Sequence, residues 1–544
     1  MQQIRTIIAV VLSMAVFYVY YTFIDPPKAP PLQPTTQTQQ VVPAEEQKKS
    51  VDVPLSSSSL PVAPAKSGSE FVLENEKVKL VLNSVGAQIR HVFLKKYPKG
   101  EEAKHEWVDL ADAGTGLGGI SFSKVLKDFD AEYAVVSAET NKSQVVFSAL
   151  LGDLEVKKIF RSQSNSPYGF EMEVQVQNKG GQKLDLEPQF WMVRQQKLEQ
   201  KGGFFSFIKG PPDMISPVGL VAGAIKQELD TKKISGFNAL TGEVAWAGFG
   251  DRYFLTSFIS RQTSSNILTS FLVTEDNKLY SSFTYGALGL APGETLNRKL
   301  GFYLGPKLRT ELQSFGVGLE KCVDYGWFGL IAVPLLWLLV SLEKVLGNWG
   351  LAIIALTFIV KMILHPVNKK SMESMKAMQK LQPRMKEIQQ KYKGDREKLN
   401  MEMMTMFKSH KVNPMGGCLP MILQMPIYIA LYKVLWNAIE LYRAPFFGIY
   451  HDLSMPDPYF VGPFLLGVLF FLQQKLTPSS ASMDPAQQKM MQFMPLMFTV
   501  FMVFLPAGLI MYILVNTLMS VIQQYMIHRE ISFWDLLTGK RPAA

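Results

Sequence analysis

A lysine lies inside an apolar segment of this sequence. The segment from Trp349 to Val367 is mostly apolar, yet Lys361 lies well inside it. A charged side chain at the centre of a bilayer costs about 2.5–3.5 kcal/mol on insertion scales, so such residues usually face a partner or a water-filled cavity. The alternative is that Lys361 reaches the membrane surface, because the helix from Lys361 to Val367 is only ~9 Å long. Both interpretations are open at this point.

Other polar residues in the apolar segments repeat at intervals of four. They are Thr357 with Lys361, then Gln424 with Tyr428 and Tyr432, and finally Tyr512 with Asn516, Ser520 and Gln524, while Thr499 lies alone in the span between. Residues four apart share one face of a helix. These stripes predict either a shared polar groove or hydrogen bonds that hold the helices together. Because these segments contain no Asp or Glu, we expect water around Lys361 and a positive pocket in the cytoplasmic half of the bundle.

The sequence has none of the common catalytic motifs. It lacks a phosphate-binding loop of the form GxxxxGK[ST], an HExxH zinc motif and a GxSxG nucleophile motif. The six histidines are scattered, and the two cysteines, Cys322 and Cys418, lie in different regions. We therefore predict no catalytic residues, no metal site, no disulfide and no cofactor, and we expect that the protein is not an enzyme.

The N-terminal regions predict a membrane anchor followed by a linker. Residues 1–24 include a long uncharged apolar run, and no small-residue cleavage pattern follows it, which predicts an uncleaved anchor. Residues 25–66 contain nine prolines and few large apolar residues, which predicts a disordered linker. Residues 67–320 alternate apolar and polar residues between turns, which predicts antiparallel strands and a β-sandwich outside the cytoplasm.

The distribution of charge predicts the membrane topology of the rest of the chain. Residues 368–413 contain twelve Lys and Arg against five Asp and Glu, so this loop is expected in the cytoplasm. That placement requires the apolar run Phe328–Leu342 not to cross, so residues 321–347 are predicted to form a helix in the outer interface. Residues 348–530 then form a core of five spans, and the anchor makes six. Both termini, including the tail 531–544, are expected in the cytoplasm.

The basic loop has a helical apolar pattern. Residues 368–412 carry apolar side chains every three or four positions on both sides of Gly394 and Asp395, which predicts a helical hairpin. Its eight methionines form an adaptable surface. The pattern fits self-packing of the hairpin, and it also fits a docking surface for nascent chains or ribosomal partners.

Three long motifs resemble the YidC/Oxa/Alb family of membrane protein insertases. They are NWGLAIIALTFIVKMILHPVNKKS at 348–371, NPMGGCLPMILQMPIYIALY at 413–432 and FMPLMFTVFMVFLPAGLIMYILVNTLMSVIQQ at 493–524. The anchor and the large outer domain are similar to the Gram-negative bacterial form. The resemblance implies a membrane α-helical fold with a five-helix core, plus an extracytoplasmic β-supersandwich similar to galactose mutarotases.

The resemblance also implies a mechanism and its residues. Members of the family have a hydrophilic groove, open to the cytoplasm and to lipid, with a positive residue that is usually arginine. Here that residue is Lys361, which keeps the charge but loses the planar fork of arginine. The polar stripes described above assign Thr357, Gln424, Tyr428, Thr499, Tyr512, Asn516 and Ser520 to such a groove. The implied surface along which a client helix slides is formed by Met425, Pro426 and Phe501.

The family resemblance also sets the expected partners and location. These are nascent membrane proteins, the Sec translocon (SecYEG and SecDF), the ribosome with the signal recognition pathway, and the lipid bilayer of the bacterial inner membrane. No nucleic acid binding is expected beyond possible ribosome contact. Residues 25–347 are expected in the periplasm. Two alternatives remain open from the residues themselves: a small-solute transporter, and an envelope-binding protein that acts through its β-sandwich.

Overall fold

The computed structural model describes most of the chain from residue 68 onward. The described residues are 68–99, 106–111, 116–122, 126–138, 143–196, 214–227, 238–240, 242–260, 267–274, 277–392, 394–410, 419–476 and 485–529. All of them lie within one compact unit, Ser57–Ala544. The predicted anchor (1–24), linker (25–66) and tail (531–544) lie outside the described residues, as does Cys418.

The first part of the described chain consists of short strands, as predicted. They are β1 (Glu70–Glu74), β2 (Val78–Asn83), β3 (Gln88–Pro98), β4 (Trp107–Asp109), β5 (Leu117–Phe122), β6 (Leu126–Lys127), β7 (Ala134–Ala138), β8 (Gln144–Leu151), β9 (Leu154–Ser162), β10 (Gly169–Asn178), β11 (Leu184–Leu186), β12 (Pro188–Gln195), β13 (Ser216–Val221), β14 (Ala224–Gln227), β15 (Asn238–Leu240), β16 (Val244–Gly250), β17 (Phe254–Ser260), β18 (Ile267–Val273), β19 (Lys278–Tyr285), β20 (Leu288–Leu290) and β21 (Thr295–Pro306).

These strands form two large antiparallel sheets with one core. The ten-stranded sheet has the order β1-β2-β3-β5-β12-β19-β18-β15, with β4 beside β3 and β6 beside β5. The nine-stranded sheet has the order β14-β13-β16-β17-β21-β10-β9-β8-β7, and β11 pairs with β20. In β10, Phe170, Met172, Val174 and Val176 alternate with polar residues and are buried. This two-residue period is what places one face of a strand in the core.

A buried ion pair joins the two sheets. The Nζ atom of Lys158, on β9, lies 2.5 Å from Oδ2 of Asp128, and both side chains are fully buried. The ammonium also donates to the carbonyl oxygens of Gly86 (2.6 Å) and Gly118 (3.1 Å), while Asp128 accepts from the N–H of Ile120 at 2.8 Å. Burial raises the pKa of Asp128 and lowers the pKa of Lys158, and the attraction between the two charges opposes both shifts.

The rest of the described chain is helical. The helices are α1 (Arg309–Phe315), α2 (Gly329–Leu346), α3 (Trp349–Lys380), α4 (Gln382–Lys391), α5 (Arg396–Ser409), α6 (Leu419–Asn437), α7 (Val461–Leu476), α8 (Pro485–Met502) and α9 (Ala507–Arg529). Short 3₁₀ turns lie at Leu319–Cys322, Gly326–Phe328 and Ile439–Leu441.

The helix α2 is longer than the apolar run that predicted it. The apolar run ends at Leu342, and the helix continues to Leu346, within the segment 321–347 that was predicted to be helical. It ends because Gly347 has a φ of 65°, a left-handed conformation that suits glycine, and its N–H donates to the carbonyl of Glu343. The stretch Gly326–Leu346 is long and apolar enough to cross a membrane by length and composition. Its placement in the outer interface stays a prediction.

The helix α3 does not end where its apolar segment ends. It continues past Val367 to Lys380, so a single helix of 32 residues joins the predicted span to the basic region. Pro366 lies inside this helix without ending it. Proline lacks only one backbone donor, and the helical turn before Pro366 still forms. The expected boundary between span and hairpin at residue 368 is therefore not a break in the helix.

The basic region folds as a hairpin that packs against itself. The helices α4 and α5 bury Leu381, Met385, Met406 and Phe407 in one small cluster. Asp395 begins α5 because its side chain accepts a hydrogen bond from the N–H of Lys398. The apolar side chains that predicted the hairpin are thus packed between α4 and α5, which agrees with self-packing of the hairpin.

The loop between α6 and α7 covers the end of the helical bundle at which α9 begins. Within residues 438–460, the carbonyl of Leu453 accepts from the N–H of Gly508 at 2.9 Å, and the carbonyl of Met455 accepts from the N–H of Ala507 at 2.7 Å. Leu453 is fully buried. The loop therefore ties the start of α9 in place and closes this end of the bundle.

Three of the described helices are long and apolar enough to cross a membrane. They are Gly326–Leu346, Trp349–Lys380 and Ala507–Ile527, and two shorter apolar helices are Val461–Leu476 and Phe493–Met502. The predicted count of six spans stays a prediction.

Candidate functional site

The lysine on α3 is connected to α9 by hydrogen bonds. Asn348 caps the start of α3 by accepting from the N–H of Leu351 at 3.1 Å. Twelve residues after the helix begins, Lys361 is 8% exposed and donates from Nζ to Oγ of Ser520 at 2.7 Å. The Ser520 hydroxyl in turn donates to the carbonyl of Asn516 at 2.8 Å. The cation is therefore held against one turn of α9.

The helix α6 joins the same network from its other side. The side-chain amide of Asn516 donates to the hydroxyl of Tyr428, and the amide of Gln424 donates to the hydroxyl of Tyr512 at 3.2 Å. The rings of Tyr428 and Tyr512 meet edge to face with centroids 5.6 Å apart. The polar stripes of α3, α6 and α9 thus meet, and a continuous chain of contacts runs from Lys361 to Tyr428.

The network contains the ammonium group of Lys361. Among the described residues, no ion pair includes Lys361. A lysine has three donor hydrogens, and in this part of the chain one of them is used by Ser520. Within the same described set, Oδ1 of Asn516 is buried and has no hydrogen-bond partner. The site therefore has spare donors and a spare acceptor for water or for a polar segment.

Two of the predicted groove residues use their hydroxyls locally. Thr357 is fully buried and donates to the carbonyl of Ile353 at 2.7 Å, within its own helix. Thr499 donates to the carbonyl of Pro495 at 2.8 Å and lies against Gly467, where an added Cβ would be 2.6 Å from its Oγ1. The structure thus places Thr499 in the contact between α7 and α8, and neither hydroxyl joins the chain from Lys361. Their role in a groove stays a prediction.

The residues predicted to contact a client helix lie on α6 and α8. Met425 is 46% exposed and Phe501 is 57% exposed, while Pro426 is half-buried. No side chain is buried between residues 493 and 502 of α8, which packs mainly against α7. The two helices therefore present apolar surface to the bilayer or to another apolar helix.

The sequence reasoning missed two cations at the C-terminal end of α6. Lys433 donates to the carbonyl of Tyr325 at 3.1 Å, and the signal for it was the same as for Lys361, a lysine inside an apolar segment. Arg252 belongs to the β-domain, which consists of the strands β1 to β21 between Glu70 and Pro306, and its Nε donates to the carbonyl of Trp436 at 2.6 Å. No local pattern points to that contact, because 184 residues separate the partners.

The described residues contain no group of three or more His, Cys, Asp or Glu that could hold a metal ion. Cys322 is buried, and burial raises the pKa of its thiol to about 11. A thiol with so high a pKa is a poor nucleophile at neutral pH. The side chains around Lys361 offer charge, hydrogen bonds and apolar surface for binding.

Two family models match different parts of the chain. The model described as "60Kd inner membrane protein" matches residues 341–533, which contain the whole hydrogen-bonded network. The model described as "YidC periplasmic domain" matches residues 70–338, which contain both sheets. Together the two models cover the β-domain and most of the described helices.

Full-length relatives are similar over almost the entire chain. The membrane protein insertase YidC of Geobacter metallireducens is 34% identical over 97% of this chain and 98% of its own length. The membrane protein insertase YidC of Haemophilus influenzae is 33% identical over 99% of both chains. A crystal structure of an active YidC insertase with its first transmembrane domain resolved aligns over 86% of this chain and 94% of its own, with 18% identity and a TM-score of 0.37.

Proposed function

The chain belongs to the YidC family of membrane protein insertases, and we propose that Lys361 and its hydrogen-bonded neighbours form the groove through which it moves client segments into the bilayer. The observation that supports this proposal most directly is the buried ammonium of Lys361, which has one hydroxyl partner and, in the described part of the chain, no carboxylate partner. Such a site attracts acidic and polar groups of a client.

The groove acts by lowering the cost of dehydration. A polar segment that enters bare lipid loses its hydrogen bonds to water, at a cost of several kcal/mol for each unsatisfied group. Lys361, Asn516 and Tyr428 offer donors and acceptors in place of that water. A client segment that passes them keeps partners for its polar groups while its apolar part reaches lipid.

The apolar part of the client follows the exposed surfaces of α6 and α8. Met425, Pro426 and Phe501 form this surface in the proposal, and the first and last of them are well exposed. Partition of the client helix into lipid supplies the driving force, at about 25 cal/mol per Å² of buried apolar area. The membrane potential adds ~2.3 kcal/mol per charge per 100 mV for acidic segments that cross outward. No covalent step is needed.

The proposed arrangement in the membrane follows the charge of the hairpin. Residues 368–412 and both termini lie in the cytoplasm, the strand domain lies in the periplasm, and six helices cross the inner membrane. Nascent membrane proteins are the clients, delivered by the ribosome and the signal recognition pathway, alone or with the Sec translocon (SecYEG and SecDF). Relatives named as insertases match the full length of the chain, which favours this function over a solute transporter or an envelope-binding protein.

The test is insertion of a single-span client with an acidic outer tail into liposomes that contain the purified protein. We expect protease-protected client with the intact protein and a fall of about tenfold for Lys361→Gln, as for the loss of one charged contact of ~1.4 kcal/mol. Lys376→Gln is the matched control, because it removes a lysine from the same helix outside the network. Equal insertion by Lys361→Gln and the control would refute a working role for the charge.

A further inference from the structure

The loop between α6 and α7 contains a turn with two consecutive left-handed residues. Phe447 has a φ of 45° and Gly448 a φ of 71°. The N–H of Ile449 donates to the carbonyl of Phe446 at 3.0 Å, and the N–H of Phe446 donates to the carbonyl of Tyr450 at 2.8 Å. Turns with consecutive positive φ values prefer Asn-Gly or Asp-Gly, because a bulky side chain is strained in this conformation. The chain therefore has phenylalanine where the backbone favours asparagine.

The strained phenylalanine adds little to the core. Its ring meets that of Phe446 on one side, with centroids 4.9 Å apart, and the side chain of Phe447 is 67% exposed. At the end of the same loop, Phe460 has a φ of 57° and is 52% exposed. Among the described non-glycine residues with positive φ, these two are the aromatic ones. A strained residue that contributes little to packing indicates that its side chain has another function.

The residues before Phe447 hold the turn against the start of α3. The ring of Phe446 lies on the first turn of α3, so close to Gly350 that an added Cβ there would overlap it. The side-chain amide of Asn348, which caps α3, donates to the carbonyl of Pro445 at 3.3 Å. The position of the turn is therefore fixed relative to the end of the bundle at which α3 begins.

The same end of the bundle is where a second membrane-length helix begins. The loop accepts hydrogen bonds from the N–H groups of Ala507 and Gly508, at the start of α9. Both α3 and α9 are long and apolar enough to cross a membrane. A helix that crosses a bilayer ends near its surface, where exposed aromatic residues contact the boundary between headgroups and acyl chains. Phe447 and Phe460, with the exposed Tyr459, lie at this level.

We propose that the turn Phe446–Ile449 is a lipid-binding element: it inserts the ring of Phe447 into the phospholipid interface at the membrane surface where α3 and α9 begin. Phe460 is a second contact with the same interface. Transfer of the ring from water to lipid is favourable, and it compensates for the strain of the backbone. In the topology proposed above, this surface faces the periplasm.

The turn also gives a depth for the site around Lys361. Thirteen residues separate Lys361 from Asn348, and thirteen separate Ser520 from Ala507. At ~1.5 Å per residue, each interval corresponds to about 20 Å of helix. Because the hydrocarbon core is about 30 Å thick, the contact of Lys361 with Ser520 lies in the half of the membrane remote from the turn. This depth rests on the proposed function, whereas the lipid contact of Phe447 does not.

The test is photochemical crosslinking of the full-length protein in liposomes of phosphatidylethanolamine and phosphatidylglycerol. Benzoylphenylalanine replaces Phe447, because it keeps a phenyl ring at this position, and phospholipid adducts are measured by mass spectrometry after irradiation. The same amino acid replaces Val136, an exposed apolar residue of the β-domain, as the matched control. It also replaces Phe464, exposed on α7 one turn after Phe460, to give the yield of an apolar helix.

We expect a phospholipid adduct at position 447 with a yield similar to that at position 464 and several-fold above that at position 136. Three results would overturn the proposal: adducts at Phe464 without adducts at Phe447, equal yields at Phe447 and Val136, or crosslinks from Phe447 mainly to a second copy of the chain or to a client.

The depth is measured by electron paramagnetic resonance with spin labels on an incorporated keto amino acid. The labels replace Phe447 and, in a second sample, Met362, which is exposed beside Lys361 on α3. Collision with oxygen and with a nickel chelate gives the depth of each label in the bilayer. We expect the two depths to differ by about 20 Å, and a difference below about 10 Å would contradict the assigned depth. Normal insertion by Lys361→Gln would refute the charged groove and leave the lipid adducts at Phe447 standing.

Discussion

Lys158 and Lys361 are both buried lysines, one between the sheets of the β-domain and one among the helices. Lys158 has a carboxylate at 2.5 Å and two close backbone carbonyls. Lys361 has one serine hydroxyl at 2.7 Å and, among the described residues, no carboxylate. A buried ammonium with a complete set of partners is part of the fold, whereas one with an incomplete set retains donors for a ligand. The number of partners, rather than burial itself, separates the structural cation Lys158 from Lys361, the cation that we propose to be functional.

The largest expected effect comes from removing the carboxylate partner of Lys158. Asp128→Asn leaves the Lys158 charge fully buried without its counterion, and removal of one partner of a buried ion pair costs about 3–5 kcal/mol. We expect the free energy of unfolding of the β-domain to fall by that amount in urea denaturation followed by tryptophan fluorescence. A loss below about 1 kcal/mol would mean that the pair contributes little, and the contrast with Lys361 would fail.

The matching control removes both charges together. In Asp128→Leu with Lys158→Met no charge remains unpaired, and such replacements are often neutral or stabilising. We therefore expect the double variant to be more stable than Asp128→Asn by about 2 kcal/mol or more. A double variant as unstable as the single one would show that packing at this site, rather than charge, causes the loss.

A smaller effect is expected from removing the one described partner of Lys361. Ser520→Ala deletes one hydrogen bond in a site that already has spare donors, so the bundle should lose only about 0.5–1.5 kcal/mol. Insertion should fall less than in Lys361→Gln, because the charge remains. Equal losses of insertion in the two variants would mean that the hydroxyl, and not the cation, does the binding.

A separate effect, on the pH dependence of stability, concerns a buried carboxylate of the β-domain with several partners, Glu173. Burial alone would raise the pKa of Glu173, but hydrogen bonds from Arg161, Gln175 and Asn297 outweigh it and lower the pKa from 4.5 to about 2. A lowered pKa in the folded state stabilises the fold above pH 4.5, and this stabilisation is lost as the pH falls toward 2.

This prediction is checked by the melting temperature of the β-domain between about pH 6 and pH 2. Below the pKa that Glu173 has in the unfolded protein, the melting temperature of the intact protein should fall more steeply with pH than that of Glu173→Gln. The two melting curves should converge at the acid end of the range. Parallel curves over the whole range would contradict the contribution of Glu173.

The amino-acid sequence predicted those parts of the site that depend on helical spacing. Lys361, Gln424, Tyr428, Asn516 and Ser520 come together because residues four apart share a helix face. The alternation of apolar and polar residues likewise predicted the antiparallel sheets, and apolar residues at every third or fourth position predicted the hairpin formed by α4 and α5.

The remaining features depend on contacts that local patterns do not contain. The spacing of residues along α8 could not predict that Thr499 would lie against Gly467. Which face of α8 meets α7 depends on how the two helices pack. The contact of Arg252 with Trp436 joins distant parts of the chain. Lys158 follows Lys157 in a strand, and only the fold decides which of the two turns inward.

The most direct test of the distinction between the two lysines is a double-mutant cycle between Lys361 and the charge of the client tail. Insertion into liposomes would be measured for the protein and for Lys361→Gln, each with an acidic-tailed client and with its amide-tailed counterpart. We expect Lys361→Gln to lose about tenfold with the acidic tail and little with the neutral tail, which corresponds to a coupling of ~1.4 kcal/mol. Equal losses with both clients would contradict direct attraction between Lys361 and the client.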